Sequence, residues 1–400
     1  MNIKKALLKL SNFLLALFIL FTVLPVKLNY SSITIISLTT LSVISLISKK
    51  FKKLNQQGYF IFFISIPLAV YILGLINTSN LDYGISFIEK NLSFLAFPVI
   101  FFCLGKSINK EILYKVFLLG LFVTNIYLIY LFFYYFNFGL KFYKIVTLDI
   151  YHSTYLGMYN LVAYWTCFCF FIKKTKKVYL FIGVFFLICA ILASARIIYI
   201  LSILSLIASF LFVIKSKIKR IIAILLTSFF SLTILLTTPS FKQKFKQILE
   251  LEKIGFDKNN YRSISSRFGK IQAASSVLKE NIWFGTGTGD LIDELVEEYK
   301  SMNFVMGYKY RYNPHNQYLD SLTRNGILGG GLSLMAIFIL PLYLAIRKKS
   351  ILLLTFTITV GFVCLTESVL DVHKGITFYT FFMTLIISDT VLDKKKNLLN

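Results

Sequence analysis

The residues of this chain best equipped for chemistry are one histidine and a small set of arginines. His315 lies in Asn313-Pro314-His315-Asn316-Gln317-Tyr318-Leu319. Asn is a preferred helix cap and Pro a preferred first helical residue. The spacing therefore predicts Asn313 as cap and His315 in the first turn of a helix running through Leu319 and Leu322 towards Gly326. A helix amino terminus disfavours an imidazolium, which suits a proton acceptor, and it favours a bound phosphate. Of the 43 basic residues only seven are arginine, at 196, 220, 262, 267, 311, 324 and 347. Arginine offers a planar fork of donors that fits phosphate bidentately and stays charged when partly buried. Gly285-Thr286-Gly287-Thr288-Gly289-Asp290 has the look of a phosphate-cradling loop, but a dinucleotide fingerprint needs a preceding strand and a following helix. A flexible turn between two helices is expected there, with backbone amides available to an anionic ligand.

The elements that position these groups follow from composition. With 57% hydrophobic and 15% charged residues and a mean hydropathy of +0.73, the chain departs from soluble domains, which are nearer half apolar and a quarter charged. Long, mostly apolar runs such as 112–136 and 178–193 exclude an outer-membrane barrel, whose strands read as alternating segments of about ten residues. The expectation is an all-α, polytopic integral membrane protein of about 12 transmembrane helices. Candidate spans centre near residues 16, 39, 68, 98, 124, 162, 186, 205, 228, 337, 358 and 383. The first run, with its Lys-bearing start, is read as a span, since no small-residue cleavage pattern follows Val26.

Charge orients the spans. With the amino terminus inside, the connections assigned to the cytoplasm carry 24 of the 43 basic residues, as the rule for short inner loops requires. Arg196, Arg262, Arg267, Arg311 and Arg324 then fall outside, as do all three histidines, His152, His315 and His373. The net charge of +25 thus records topology and implies no nucleic-acid partner; the lipid bilayer is the implied partner instead. Cys103, Cys167, Cys169, Cys189 and Cys364 fall inside spans and read as packing residues, and no metal site is expected. Arg196 is the sharpest basic residue, because an unpaired cation at the mouth of a span is costly unless it snorkels or binds something.

Residues 1–237 read as an N-terminal membrane bundle of about nine spans, 238–326 as one large outer loop, and 327–400 as about three further spans and a cytoplasmic tail. Within the loop, Ile264, Phe268, Ile271, Ser275, Leu278 and Ile282 recur at helical spacing. That amphipathic helix packs on the bundle or lies at the lipid surface, where Trp283 is suited. A second helix, 290–300, is acidic through Asp293, Glu294, Glu297 and Glu298 and is expected to present a solvated face.

Four motifs, in this order and around this scaffold, resemble those of the O-antigen ligase and O-antigen polymerase superfamily, bacterial membrane glycosyltransferases that use lipid-linked glycans. Ser194-Ala195-Arg196 resembles a small-Ser-x-Arg motif at a span end. Arg267 to Asn281, with Phe284 and Gly285 to Gly289, resembles the helix and glycine turn of the large periplasmic loop. His315-Asn316-Gln317-Tyr318-Leu319 and Gly326-Ile327-Leu328-Gly329 resemble His-Asn-x-x-Leu followed by Gly-x-x-Gly. Tyr151-His152-Ser153-Thr154-Tyr155 and Thr366-Glu367-Ser368 resemble further motifs, with Ser153 where proline is frequent. The resemblance spans roughly residues 150–385, with the ligase-type signature at about 180–345.

The resemblance implies that Arg196 and Arg267 engage the pyrophosphate of an undecaprenyl-pyrophosphate-linked glycan and that His315 acts near the acceptor hydroxyl, making His315, Arg267 and Arg196 the catalytic candidates. Arg311, by its nearness to His315, together with Asn316, Arg262, His152 and Glu367, completes the substrate-binding candidates. Glu367 or Asp371 orients His315 or binds acceptor sugar; the residue pattern does not choose. The implied reaction is an inverting transfer to a hydroxyl of lipid A core or another surface carrier, at the periplasmic face of the bacterial inner membrane, with no cofactor or metal. A polymerase of the same superfamily is the alternative within the enzyme class. A twelve-span secondary transporter is the alternative outside it, but transporters place polar elements near mid-membrane, whereas the polar constellation here sits in one outer loop.

Overall fold

The computed structural model describes residues 3–25, 30–47, 56–105, 108–134, 152–193, 195–237 and 263–392. Among them all regular secondary structure is helical. In hydrocarbon no water satisfies backbone amides, so apolar runs of this kind must close their hydrogen bonds internally. The helices that matter below are α1 (Ile3–Val23), α2 (Tyr30–Ile47), α3 (Ile66–Leu73), α4 (Leu81–Asn91), α5 (Ser93–Leu104), α6 (Lys110–Tyr134), α7 (Ser153–Lys174), α8 (Lys177–Leu192), α9 (Arg196–Val213) and α10 (Lys217–Thr237). They are followed by α11 (Ser263–Glu280), α12 (Leu291–Ser301), α13 (Val305–Lys309), α14 (Gln317–Asn325), α15 (Ile351–Cys364) and α16 (His373–Leu392). After α14 the chain continues helically to Arg347 through two widened π-type turns, Gly326–Gly330 and Met335–Ile339.

Five stretches are long and apolar enough to cross a bilayer, Leu81–Leu104, Lys110–Tyr134, Ser153–Lys174, Arg196–Val213 and Gln317–Arg347, and five shorter apolar helices accompany them. The chain is a multi-pass membrane protein. Phe97, Phe101, Phe117, Phe381 and Phe382 interlock at the centre of the main apolar core. Where lipid is as apolar as the side chains, close approach and polar clasps hold helices together. Asn125 and Asn160 pair amide to amide between α6 and α7 (2.7 Å), and Trp165 donates to Ser205 across to α9 (3.1 Å). Gly157 lets α7 meet α9, since a Cβ there would lie 2.7 Å from Ile198. All five cysteines are buried thiols.

Polar contacts sort the connections into two ends. At one end Lys110 reaches the Ser388 carbonyl (2.6 Å) and Asp389 (3.7 Å), while Lys115 and Lys174 both reach Glu111. These are residues that charge assigns to the inside. At the other end Ser32 meets His373 (3.3 Å), and Asn77, Ser79 and Asn80 meet the segment 285–293. Charge assigns these to the outside.

The second end has a small core of its own, with Ala273, Ala274 and Val277 of α11 against Leu291, Leu295 and Tyr299 of α12 and Phe304. The small residues of α11 therefore face protein, while Phe268 and Ile271 are exposed together with Ile282, Trp283 and Phe284. Of the two placements open to this helix, packing on protein is met by its small residues, and its large apolar ones are left exposed.

The glycine segment corrects its expectation. It is neither flexible nor open to a ligand: residues 285–290 are buried, and each amide in the turn is taken within the protein. Thr286 N–H donates to the Thr323 carbonyl (3.0 Å), Gly287 N–H to Arg324 (3.0 Å), Thr288 N–H to Gly74 (3.1 Å), and Gly289 N–H to the Thr78 hydroxyl (3.2 Å). The Asp290 carboxylate accepts from the Ser79 and Asn80 amides, both at 2.7 Å. The acidic helix is likewise less free than expected, because Asp293 accepts from Asn80 (2.8 Å) and pairs with Arg311. Gly287 has φ 99°, and a Cβ there would stand 2.4 Å from the Asn77 carbonyl oxygen. Gly331 sits in a helix with nothing within 4 Å of such an atom. Gly287→Ala should therefore destabilise the protein by at least about 1–3 kcal/mol, and Gly331→Ala should be neutral or stabilising by about 0.5–1 kcal/mol. Thermal unfolding of the two purified variants in detergent checks the opposite signs.

Candidate functional site

His315 is held by the turn before α14, and its neighbours in sequence dock that turn. Asn316, not Asn313, is the cap: its side-chain oxygen accepts from the Tyr318 and Leu319 amides at 3.0 and 3.1 Å. The helix begins at Gln317, so His315 precedes it, with φ 48°, a left-handed conformation. The expected placement of His315 in the first turn is corrected accordingly, and the helix end is satisfied by its own cap instead of being open to phosphate. Asn313 instead accepts from the His315 amide (3.2 Å) and donates to Asp371 (2.8 Å).

The remaining motif residues reach the connection after α15. Asn316 donates to the Leu365 carbonyl (3.2 Å), Tyr318 OH to the Gly361 carbonyl (3.0 Å), and the Gln317 side-chain oxygen accepts from the Leu370 amide (2.7 Å). These three bonds fix the segment that carries Glu367. Its Oε2 lies 3.1 Å from His315 Nδ1, and its Oε1 lies 3.4 Å from a terminal nitrogen of Arg267. Between the two carboxylates left open by sequence, geometry places Glu367 on His315. Asp371 serves Asn313 and lies 3.8 Å from Arg324.

Glu367 is 7% exposed. Burial pushes its carboxyl up, but the His315 hydrogen bond and the charges of His152, His315 and Arg267 outweigh it and hold the group below the ordinary carboxylate range. An ionised carboxylate only accepts, so Nδ1 is the His315 nitrogen that donates to Glu367. The imidazole and Arg267 are the accessible partners, with side chains 33% and 42% exposed.

Arg267 projects from α11, and Arg196 starts α9 within reach of the Arg267 charge. His152 caps α7, stacks edge-on with Tyr155 (5.8 Å) and contributes its charge at Glu367. His315, Glu367, Arg267, Arg196 and His152 therefore gather from four separate connections. Two arginines do not join them. Arg311 turns to Asp293. Arg324 is wholly buried, donating to the Thr288 carbonyl (2.7 Å), pairing with Asp320 (3.3 Å) and lying 3.9 Å over the Phe87 ring. Arg324 is structural: it lies at the end assigned to the outside but is turned into the protein. Arg262 lies outside the described residues.

One group at the site was not singled out by sequence. Lys270, one turn after Arg267, is 6% exposed, with its ammonium 3.9 Å from the centre of the Tyr312 ring. Burial, reinforced by the Arg267 charge and opposed by Glu367, pushes its amine down to about 8. The three-residue step from Arg267 was its only signal. Among the described residues no group of three His, Cys, Asp or Glu is arranged to hold a metal ion.

A multi-pass helical protein that gathers a histidine–carboxylate pair and arginine forks at one end has the makings of a membrane-embedded transferase. Residues 181–334 match the family model described as O-antigen ligase, so this part of the chain is similar to the O-antigen ligase and polymerase superfamily. The matched segment includes Arg196, Arg267, Lys270 and His315, while His152 and Glu367 lie beyond it. The family implies a glycosyltransferase-like enzyme acting in lipopolysaccharide or polysaccharide synthesis. Among curated proteins the chain has no match.

The depressed Glu367 carboxyl fixes a sign. A carboxyl whose folded value lies below its unfolded one contributes stability that is present above the unfolded value, near pH 4.3 for an ordinary Glu, and is lost as pH falls through the folded value. The wild type should therefore lose thermal stability on acidification below about pH 4.3, and Glu367→Gln should remove that component of the slope. Melting curves of both proteins in detergent from pH 7 to pH 3 measure it.

Proposed function

We propose that the chain is a ligase that moves a glycan from undecaprenyl pyrophosphate to a hydroxyl of a surface carrier such as lipid A core. The observation that carries this proposal is the Glu367 carboxylate shared between His315 Nδ1 and Arg267. One arm of that bridge prepares a proton acceptor, and the other holds a phosphate-binding fork beside it.

The pyrophosphate is already a good leaving group, so the protein has two tasks. His315 Nε2 takes the proton of the acceptor hydroxyl as its oxygen attacks the anomeric carbon, a contribution of order 10²–10⁴ in rate. Glu367 holds the imidazole in the tautomer that leaves Nε2 open, and its negative charge favours the imidazolium as it forms. Arg267 and Arg196 meet the charge that develops on the departing pyrophosphate. Direct displacement inverts the anomeric carbon. His152 and Asn316 stand at the rim for substrate contacts.

A periplasmic site in the inner membrane is supported by the charge partition, since every group of the cluster belongs to a connection assigned to the outside. The twelve-span count and the division into 1–237, 238–326 and 327–400 belong to the same proposal. The ligase assignment over the polymerase is supported by the match to the model described as O-antigen ligase and by the combined His-Asn-x-x-Leu and arginine pattern.

His315→Ala and Arg267→Ala should each lower glycan transfer by at least about 10²-fold while leaving membrane insertion intact. Reconstituted protein given lipid-linked glycan and purified acceptor decides the matter: full activity in either variant sinks the mechanism, and solute flux without glycan would favour a transporter. Surface polysaccharide after deletion of the gene separates the two enzymes. Loss of a ligase leaves lipid-linked polymer, and loss of a polymerase leaves single repeats on the carrier.

A further inference from the structure

Lys270 is a buried cation without an acceptor. Among the described residues its ammonium donates no hydrogen bond and forms no ion pair; what faces it is the Tyr312 ring. The one carboxylate within charge range, Glu367, already spends its two oxygens on His315 and Arg267. A desolvated ammonium with open donors is costly, and a lysine stem alone could be replaced by a methionine of similar length. The surroundings add to the imbalance. Arg267 stands one turn before Lys270 on the same helix, and both lie within charge range of Glu367, while Arg196 lies within reach of Arg267. Tyr312 also stands edge-on to His315, with 6.3 Å between ring centroids, so one ring contacts both Lys270 and the histidine.

We propose that Lys270 is a third cationic contact to the donor's pyrophosphate, completing with Arg196 and Arg267 the cradle for the leaving group. The proposal rests on the donor assigned above and adds a residue to it. In the transfer step the bond between the acceptor oxygen and the anomeric carbon forms. The bond from that carbon to the pyrophosphate oxygen breaks, and its electron pair stays on the pyrophosphate. The acceptor proton goes to His315 Nε2, and Lys270 donates a hydrogen bond to a phosphate oxygen without losing its own proton. No other reactant is needed. A resident cation beside the histidine and its carboxylate also explains an otherwise unfavourable burial: the desolvation is offset only when the anion arrives.

The test uses the full chain in detergent, with inorganic pyrophosphate as the binding probe and lipid-linked glycan as the substrate, and compares Lys270→Met, Lys270→Arg and Arg267→Ala with the wild type. Lys270→Met should melt at the wild-type temperature or above, because it removes an uncompensated buried charge. It should nevertheless bind pyrophosphate about 10-fold or more weakly and lower kcat by about 10²-fold. Lys270→Arg should restore most of both. Pyrophosphate binding by the wild type should weaken as pH rises through the alkaline range in which the ammonium, flanked by Arg267, Glu367 and Tyr312, loses its proton. In Lys270→Arg that weakening should disappear.

Binding and turnover in Lys270→Met equal to the wild type would overturn the proposal, as would a Lys270→Met protein that melts well below it, which would make the lysine a structural cation. The donor assignment fails separately. If the wild type transfers glycan but neither binds pyrophosphate nor is inhibited by it, the pyrophosphate reading falls and Lys270 with it. If Arg267→Ala abolishes pyrophosphate binding and Lys270→Met does not, only the role of Lys270 is lost.

Discussion

A carboxylate kept charged at 7% exposure is the constraint from which the rest of the site follows. Removing a charge from water costs several kcal/mol unless opposite charges and donors replace the lost solvent, and Glu367 obtains them from three places in the chain. His315 comes from the turn before α14, Arg267 from the helix after the long loop, and His152 from the cap of α7. Each is drawn to the carboxylate for its own electrostatic reason, and together they form a constellation able to accept a proton and grip an anion. The same bridge that stabilises the fold therefore sets the tautomer of the histidine.

The geometry around Glu367 rests on a second, wholly internal, network. The Arg324 guanidinium joins the glycine turn at the Thr288 carbonyl to Asp320 and lies beside Asp371, which in turn holds Asn313 at the start of the histidine turn. The glycines belong to this framework. At Gly285, Gly287 and Gly326 the backbone takes positive φ in places where a side chain would strike neighbouring backbone. Gly326-Ile327-Leu328-Gly329 thus permits contact between two segments of chain, as Gly285 to Gly289 does, and the groups proposed to bind phosphate are side chains projected from this base.

Much of this was legible in the sequence, for identifiable reasons. Membrane class follows from bulk hydropathy, a property of solvent transfer that needs no tertiary detail. His315, Arg267, Arg196 and Glu367 stood out because motif order carried them. The errors share one cause: a pattern names a residue type, whereas its partner is set by long-range contacts. Asn313 and Asn316 are equally good caps on paper, and only the docking of Asn316 on Leu365 separates them. Topology gave Arg324 a side of the membrane but not its burial, which Asp320 and Thr288 determine. Lys270 went unread because a lysine on an amphipathic helix is ordinary until its burial is known.

The order in which the site's residues leave the ribosome has a consequence for biogenesis. His152, Arg196, Arg267 and His315 are synthesised before Glu367, and Glu367 sits just ahead of the final helix. Until the connection between α15 and α16 has been made, His315 and Arg267 lack the carboxylate that joins them. On the proposed function, a chain stopped before Glu367 would carry the histidine and the arginines without the bridge that makes them one site.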